Sequence, residues 1–183
     1  MSPTARILFV TSHPEKAREA ERLGFPIERI SLDLPEPQAL APGDVVEAKA
    51  RAAWALVARP IIVEDTGLHV EAWGGFPGAL VKWLERSGGI EALPRMLEPF
   101  SNRRATAVCA IAYFDGASVV RASGDVRGSI APAPRGTAGF GWDSIFLPEG
   151  SFRTFAEMAP EEKDAISHRR RAWDALSAKL AMK

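Results

Sequence analysis

Two adjacent acids, Glu64 and Asp65, follow directly on the apolar run Ile61 to Val63 and lead into Thr66, in the stretch "VEDTGL". A strand that merely reaches the surface can end on one polar residue, so the doubled charge is either a solvated edge or a site. Successive strand residues point to opposite faces, which puts one carboxylate of the pair in a cleft with help from elsewhere, such as Glu36 in "DLPEP". Both could serve one metal only if the strand ends there. Magnesium typically takes one or two protein carboxylates plus substrate phosphates, so a triphosphate would complete its sphere.

A lysine out of place is the next signal. At about 100° per residue, Val45, Ala52, Ala53 and Leu56 form an apolar stripe on a helix expected from Asp44 to Ala58, and Lys49 falls inside that stripe. Its ammonium either snorkels or pairs with a carboxylate for packing, or projects into an anion-lined cleft. Ser12 to Lys16 sit where a first strand gives way to a helix, so free amides and the positive helix end could hold phosphate with Lys16 adding a charge. A capping box serving stability alone is the blander reading, favoured locally because the chain lacks the GxxxxGK[ST] of a P-loop.

Phe140, Gly141, Trp142 and Asp143 form a glycine-flanked loop that could bring a backbone and a ring against a planar ligand, although buried aromatics are more often core. "GFGWDS" imitates the start of a dinucleotide fingerprint but leads into a strand, which rejects that reading. "EEKDAISHRRR" gathers Lys163, His168, Arg169, Arg170 and Arg171, most simply a solvated cationic face.

These residues need elements to position them. "ARILFVT" reads as a buried strand and "SHPEKAREAERLG" as a helix with Ser12 and Glu15 at capping-box spacing and Gly24 to end it. "FPIERISL" is a second strand and "PIIVEDT" a third, separated by the helix from Asp44, so alternation favours an α/β fold with a parallel or mixed sheet. Two short helices, "GALVKWLERSG" and "GIEALPRMLEPF", precede two β-rich runs meeting at Asp115 and Gly116 as a hairpin. "DSIFLP" reads as a short strand, and residues 160–182 as helix in two pieces broken near Ser167, a residue suited to an N-cap.

Composition narrows the function classes. The 183 residues, expected as one domain over 1–183, carry 23 Lys+Arg against 23 Asp+Glu, so no charge excess draws the chain to nucleic acid or anionic lipid. Cys109 is the single cysteine and lies in an apolar run, which points to core packing and fits a reducing compartment. No apolar stretch approaches the roughly 18 residues of a membrane span, and the first residues lack a cationic leader, so a cytoplasmic location is expected.

In order along the chain, "FVTSHPEK", "DLPE", "EAKA", "VEDTGL", "GGFPGALVKW", "FGWD", "FAEM" and "EEKDAISHR" resemble the inosine triphosphate pyrophosphatase family, hydrolases of deaminated purine nucleotides. The resemblance spans nearly the whole chain. It implies an elongated mixed β-sheet flanked by helices, two lobes around a substrate cleft, a homodimer, and Mg²⁺ as cofactor. It also implies that Asp65 supports the metal and the attacking water and that Glu36 helps hold the metal. Thr66 would touch substrate, Lys16 and Lys49 would meet phosphates, and Lys82 would be a further substrate contact. Phe140, Gly141, Trp142 and Asp143 match the base-binding loop, with Lys163, His168 and Arg169 completing the pocket. The family's first loop usually reads Thr-x-Asn-x-x-Lys; Thr11, Ser12 and Lys16 fit that substrate-binding loop, but His13 stands where Asn is expected, which predicts altered affinity or pH dependence.

The implied reaction cleaves a purine nucleoside triphosphate between the α and β phosphates. Two rivals keep the same cleft: a nucleotide sensor with little turnover, and a phosphatase releasing orthophosphate. The presence of Asp65 and Glu36 beside both lysines argues for chemistry rather than sensing.

Overall fold

The computed structural model describes residues 6–182. The expected alternation is present: β1 (Ile7–Val10), α1 (Pro14–Arg22), β2 (Ile27–Ile30), α2 (Pro42–Val57) and β3 (Ile61–Val70) are followed by the short β4 (Pro77–Gly78). Helices α3 (Val81–Gly88) and α4 (Ala92–Met96) lead to the hairpin of β5 (Arg104–Phe114) and β6 (Val119–Ile130), then β7 (Phe146–Pro148), α5 (Pro160–Ile166) and α6 (His168–Ala181). Residues 1–5, which hold Ala5, the first residue of the first expected strand, and the start of the segment in which a leader was sought, lie outside the described residues.

Among the described residues one mixed sheet runs β2-β1-β3-β5-β6-β7, with β4 added to β3. β1 pairs in parallel with both β2 and β3, while β3, β5, β6 and β7 pair antiparallel in succession. Alternation along the strands feeds two cores. Leu8, Val10, Ile61 and Val63 meet Val46, Ala50 and Ala53 of α2 on one face, and Phe9 and Ile62 meet Ala17, Ala20, Trp173 and Leu176 of α1 and α6 on the other. A third cluster joins Leu68 and Val70 to Val81, Leu93, Trp142, Phe146 and Phe155. Cys109 is fully buried, as expected of a packing residue, and burial pushes its thiol well above the ordinary range. No helix among the described residues is long and apolar enough to cross a membrane.

Local rules explain most boundaries. Ser167 caps α6 by accepting a hydrogen bond from the Arg170 amide at 3.1 Å, and the Asp115 carboxylate accepts the Ala117 and Ser118 amides in the hairpin turn. The structure corrects three expectations. Ser12 does not cap α1: the helix opens on Pro14 with His13 at the cap position and no side-chain cap bond, because proline's fixed φ and missing amide suit a first turn. The buried face of α2 centres on Val46, Ala50 and Ala53; of the expected stripe Val45 and Ala53 are buried, while Ala52 is only partly buried and Leu56 is 66% exposed. And β3 does not stop at the acid pair but continues to Val70 along β5.

Candidate active site

The site begins as a gap in the sheet. β1 pairs with β3 only through Val10 opposite Val63, and β4 joins β3 only from Leu68 onward. Between these, Glu64 to Gly67 have β5 on one side and no strand on the other. A cavity of about 460 Å³ fills that opening, lined by residues after β1, the segment before α2, one edge of α2, α3 and the Phe140–Asp143 stretch. Its position outside the C-terminal end of a parallel strand is where open α/β sheets place ligands.

The strand's alternation then separates the two acids. Asp65 points to the α2 side and lines the cavity. Its Oδ1 lies 3.4 Å from Lys49 Nζ, while its Oδ2 is buried without a hydrogen-bond partner. Burial raises its carboxyl above the usual range although Lys49 and Lys16 pull the other way. Glu64 points to the opposite side and corrects the solvated-edge alternative, since it is 1% exposed. Arg169 Nη2 donates to it at 2.8 Å, Trp173 Nε1 at 3.3 Å, and Lys16 Nζ stands 3.4 Å away. Burial alone would raise the Glu64 carboxyl, but Arg169 and Lys16 hold it at about 2.

Lys49 combines both readings offered for it. It flanks the true buried face of α2 in the same row as Val45, and both line the cavity. Its ammonium meets Glu36 at 2.9 Å and donates to the Glu64 carbonyl at 3.1 Å on the open stretch of β3. Lys82 also bonds Glu36. Thr11, Ser12, His13, Lys16 and Thr66 complete this polar end. His13 is held below its ordinary pKa by burial and then by Lys16, Lys49, Lys82 and Arg86. Burial likewise lowers Lys16, with Glu64 opposing.

The other end is aromatic. Phe140, Gly141, Trp142 and Asp143 line it together with His168 and Arg169. Trp142 is core as well as wall: it is 7% exposed and packs edge-on against Phe146 at 5.7 Å. His168 lies between Trp142 and Phe155, ring centroids 5.1 and 6.1 Å away, with neither ring nitrogen hydrogen-bonded. Burial, then Arg169 and Lys163, keep its imidazole well below the usual pKa. Lys163 is not brought to this cavity. It donates to Glu19 at 2.7 Å and to Asp143 at 2.6 Å and lines a smaller neighbouring cavity of about 150 Å³ that shares Phe140. The cationic run "EEKDAISHRRR" is thus no solvated face at Lys163, His168 and Arg169, all nearly fully buried.

Two participants escaped the sequence reading. Glu19 of α1 bonds both Lys163 and Arg169, tying Asp143 to Glu64 through buried charges. Glu85 of α3 lines the cavity with one oxygen unpartnered. Glu85 stands four residues after Val81 on α3, so the test that exposed Lys49 would have found it; Glu19 shares its helix rows with Glu15, Lys16 and Arg22, and nothing in the sequence sets it apart.

For a divalent cation, the fit rests on the orphaned Asp65 Oδ2 and on Glu36, whose side chain is 25% exposed and reaches the cavity. Among the described residues no three His, Cys, Asp or Glu side chains form a closed metal cluster. An acid pair with one free oxygen suits a cation whose remaining ligands are phosphate and water.

This architecture has known counterparts. The chain is 39% identical over 183 residues to the inosine triphosphate pyrophosphatase of Puccinia graminis f. sp. tritici, covering 93% of this chain and 94% of that one. It is 43% identical over 171 residues to the dITP/XTP pyrophosphatase of Thermococcus kodakarensis, covering 91% and 92%. A HAM1 protein structure from Coxiella burnetii superposes with a TM-score of 0.84 at 28% identity, covering 98% of this chain and all of that one. The Ham1 family model matches residues 7–179, and with that span the chain belongs to the Ham1 family.

Proposed function

We propose that this protein hydrolyses deaminated purine nucleoside triphosphates, ITP, dITP and XTP, to the monophosphate and pyrophosphate, as its relatives' names describe for them. The observation that carries the reading is one cavity in which Lys49 and Lys16 stand by an acid with a free oxygen and Lys82 lines the same wall, while its far end holds a buried imidazole with both nitrogens unpartnered. The triphosphate lies at the lysine end and the purine at the Phe140–Asp143 end.

Asp65 Oδ2 orients a water and takes its proton as the water oxygen bonds the α phosphorus. The bond from that phosphorus to the α,β-bridging oxygen breaks, and pyrophosphate leaves with the electron pair. Lys16 and Lys49 stabilise the charge on the leaving group, and Lys82 exchanges Glu36 for a phosphate oxygen. Asp65 and Glu36 would hold Mg²⁺, which when bound neutralises phosphate charge. At the base end His168, kept neutral, has a ring N–H to donate toward a six-oxo group; with that tautomer facing the base, adenine's six-amino group would set donor against donor, and unpaired buried groups can reject a substrate by on the order of 10⁴-fold. Two copies of the chain form the working unit, which light scattering would register as twice the 19.8 kDa chain mass.

Incubation with ITP and magnesium, with pyrophosphate and orthophosphate measured separately, tests the reading. Pyrophosphate and IMP should appear in equal amounts. Orthophosphate alone, or tight ITP binding without turnover, would overturn it.

A further inference from the structure

Glu85 is an acid in a cavity crowded with cations, yet none of them takes it. It has no ion pair among the described residues, and its Oε1 is screened from solvent without a hydrogen-bond partner. Lys82, one turn earlier on α3, is committed to Glu36, and Arg86 lies over the Trp83 ring at 5.3 Å. The carboxyl instead faces the base loop: a Cβ placed on Gly141 would lie 3.5 Å from Oε1 and 3.7 Å from Oε2. Burial, and then the nearby Asp143 charge, push its pKa up to about 7, which favours the uncharged acid, a group that both donates and accepts.

Position decides what the group is for. Along α3 Lys82 reaches the phosphate end, and Glu85, one turn on, stands at the Gly141 edge of the aromatic end, between the two. In a nucleotide laid across both ends, the segment at that junction of phosphates and base is the sugar. A buried polar atom with no internal partner costs stability unless a ligand satisfies it, and the sugar's hydroxyls can both accept from and donate to a carboxyl. We propose that Glu85 is a ribose-binding residue whose Oε1 pairs with a sugar hydroxyl of the substrate. The assignment rests on reading the cavity as a nucleoside triphosphate site.

Steady-state pyrophosphate release from ITP, 2′-deoxy-ITP and 3′-deoxy-ITP by the wild-type chain, Glu85→Ala and Glu85→Gln tests it. Glu85→Ala should raise KM for ITP on the order of tenfold with kcat nearly kept, the value of one hydrogen bond to a buried group. That penalty should vanish for whichever deoxy analogue lacks the paired hydroxyl, and Glu85→Gln, able to donate and accept, should recover most of the ITP affinity. An equal KM change for all three nucleotides, or none, would overturn the assignment while leaving the pyrophosphatase reading intact. Absence of wild-type pyrophosphate release from ITP would sink both. Thermal melts of each variant separate misfolding from lost affinity.

Discussion

At the scale of single residues, Lys49 has two employers, and the structure indicates what its removal does to each. Its carboxylate partners are not stranded without it, since Glu36 keeps Lys82 and Asp65 keeps the attraction of Lys16. Lys49→Met retains much of the stem and removes a cation from the cavity proposed to hold the substrate's phosphates. The apo protein should melt close to the wild-type temperature, while ITP turnover falls on the order of 100-fold or more, as loss of a positioned charge on a developing anion does. A melt lowered in step with activity would mean the lysine serves only to hold the acids in place. The sequence exposed Lys49 because a charge on an apolar helix row needs no partner coordinates to look anomalous. It left Glu64 open because a buried Glu and a solvated one have the same neighbours in sequence, and its partners Lys16 and Arg169 come from α1 and α6.

At the scale of elements, the strands and helices were legible from alternation, and the boundaries were not. β3 carries Gly67 where a strand signal fades, so the run past Asp65 looks like loop. The fold needs that glycine: a Cβ there would meet Gly78 C at 2.8 Å, Ala79 N at 2.9 Å and Pro42 Cγ at 2.9 Å. Gly67 lets β4 and the start of α2 close on β3, and α2 carries Lys49. Gly67→Ala should therefore destabilise the protein by about 1–3 kcal/mol and raise KM for ITP, because the contacts it forces apart are backbone and a rigid ring. Denaturant titration beside initial rates checks this; an unchanged midpoint would show that β4 yields freely. The α2 stripe was misplaced for a related reason: alanines permit several faces, and only packing against Leu8, Ile61 and Val63 chooses among them.

At the scale of the whole molecule, buried charges set how stability responds to pH. The Glu64 carboxyl titrates at about 2 in the folded state, below the unfolded value of about 4.3. Its contribution is complete above the unfolded pKa and is lost as pH falls toward 2. His168 acts in the same direction, in a higher pH window. Its folded pKa lies well below its unfolded one, so the unfolded chain binds a proton that the folded chain refuses, and stability declines by up to about 1.4 kcal/mol per pH unit as pH drops below about 6.5. His168→Phe, an aromatic at a site where neither ring nitrogen is bonded, should leave stability at pH 8 nearly unchanged and remove that slope between pH 6.5 and 5, while impairing ITP turnover. Urea midpoints across that range give the answer, and an undiminished slope would assign it to another group.

The gap beside β3 carries one more implication. β1 ends at Val10, and Pro14, four residues on, has no amide hydrogen and starts a helix. Those few residues are what keep the first strand from running alongside Glu64 to Gly67. A chain with the same side chains and a first strand four residues longer would complete its sheet along Glu64 to Gly67 and lose the opening proposed for the triphosphate. Part of this protein's chemistry is therefore written as a length, and an insertion between Val10 and Pro14 could erase it without altering any residue that touches substrate.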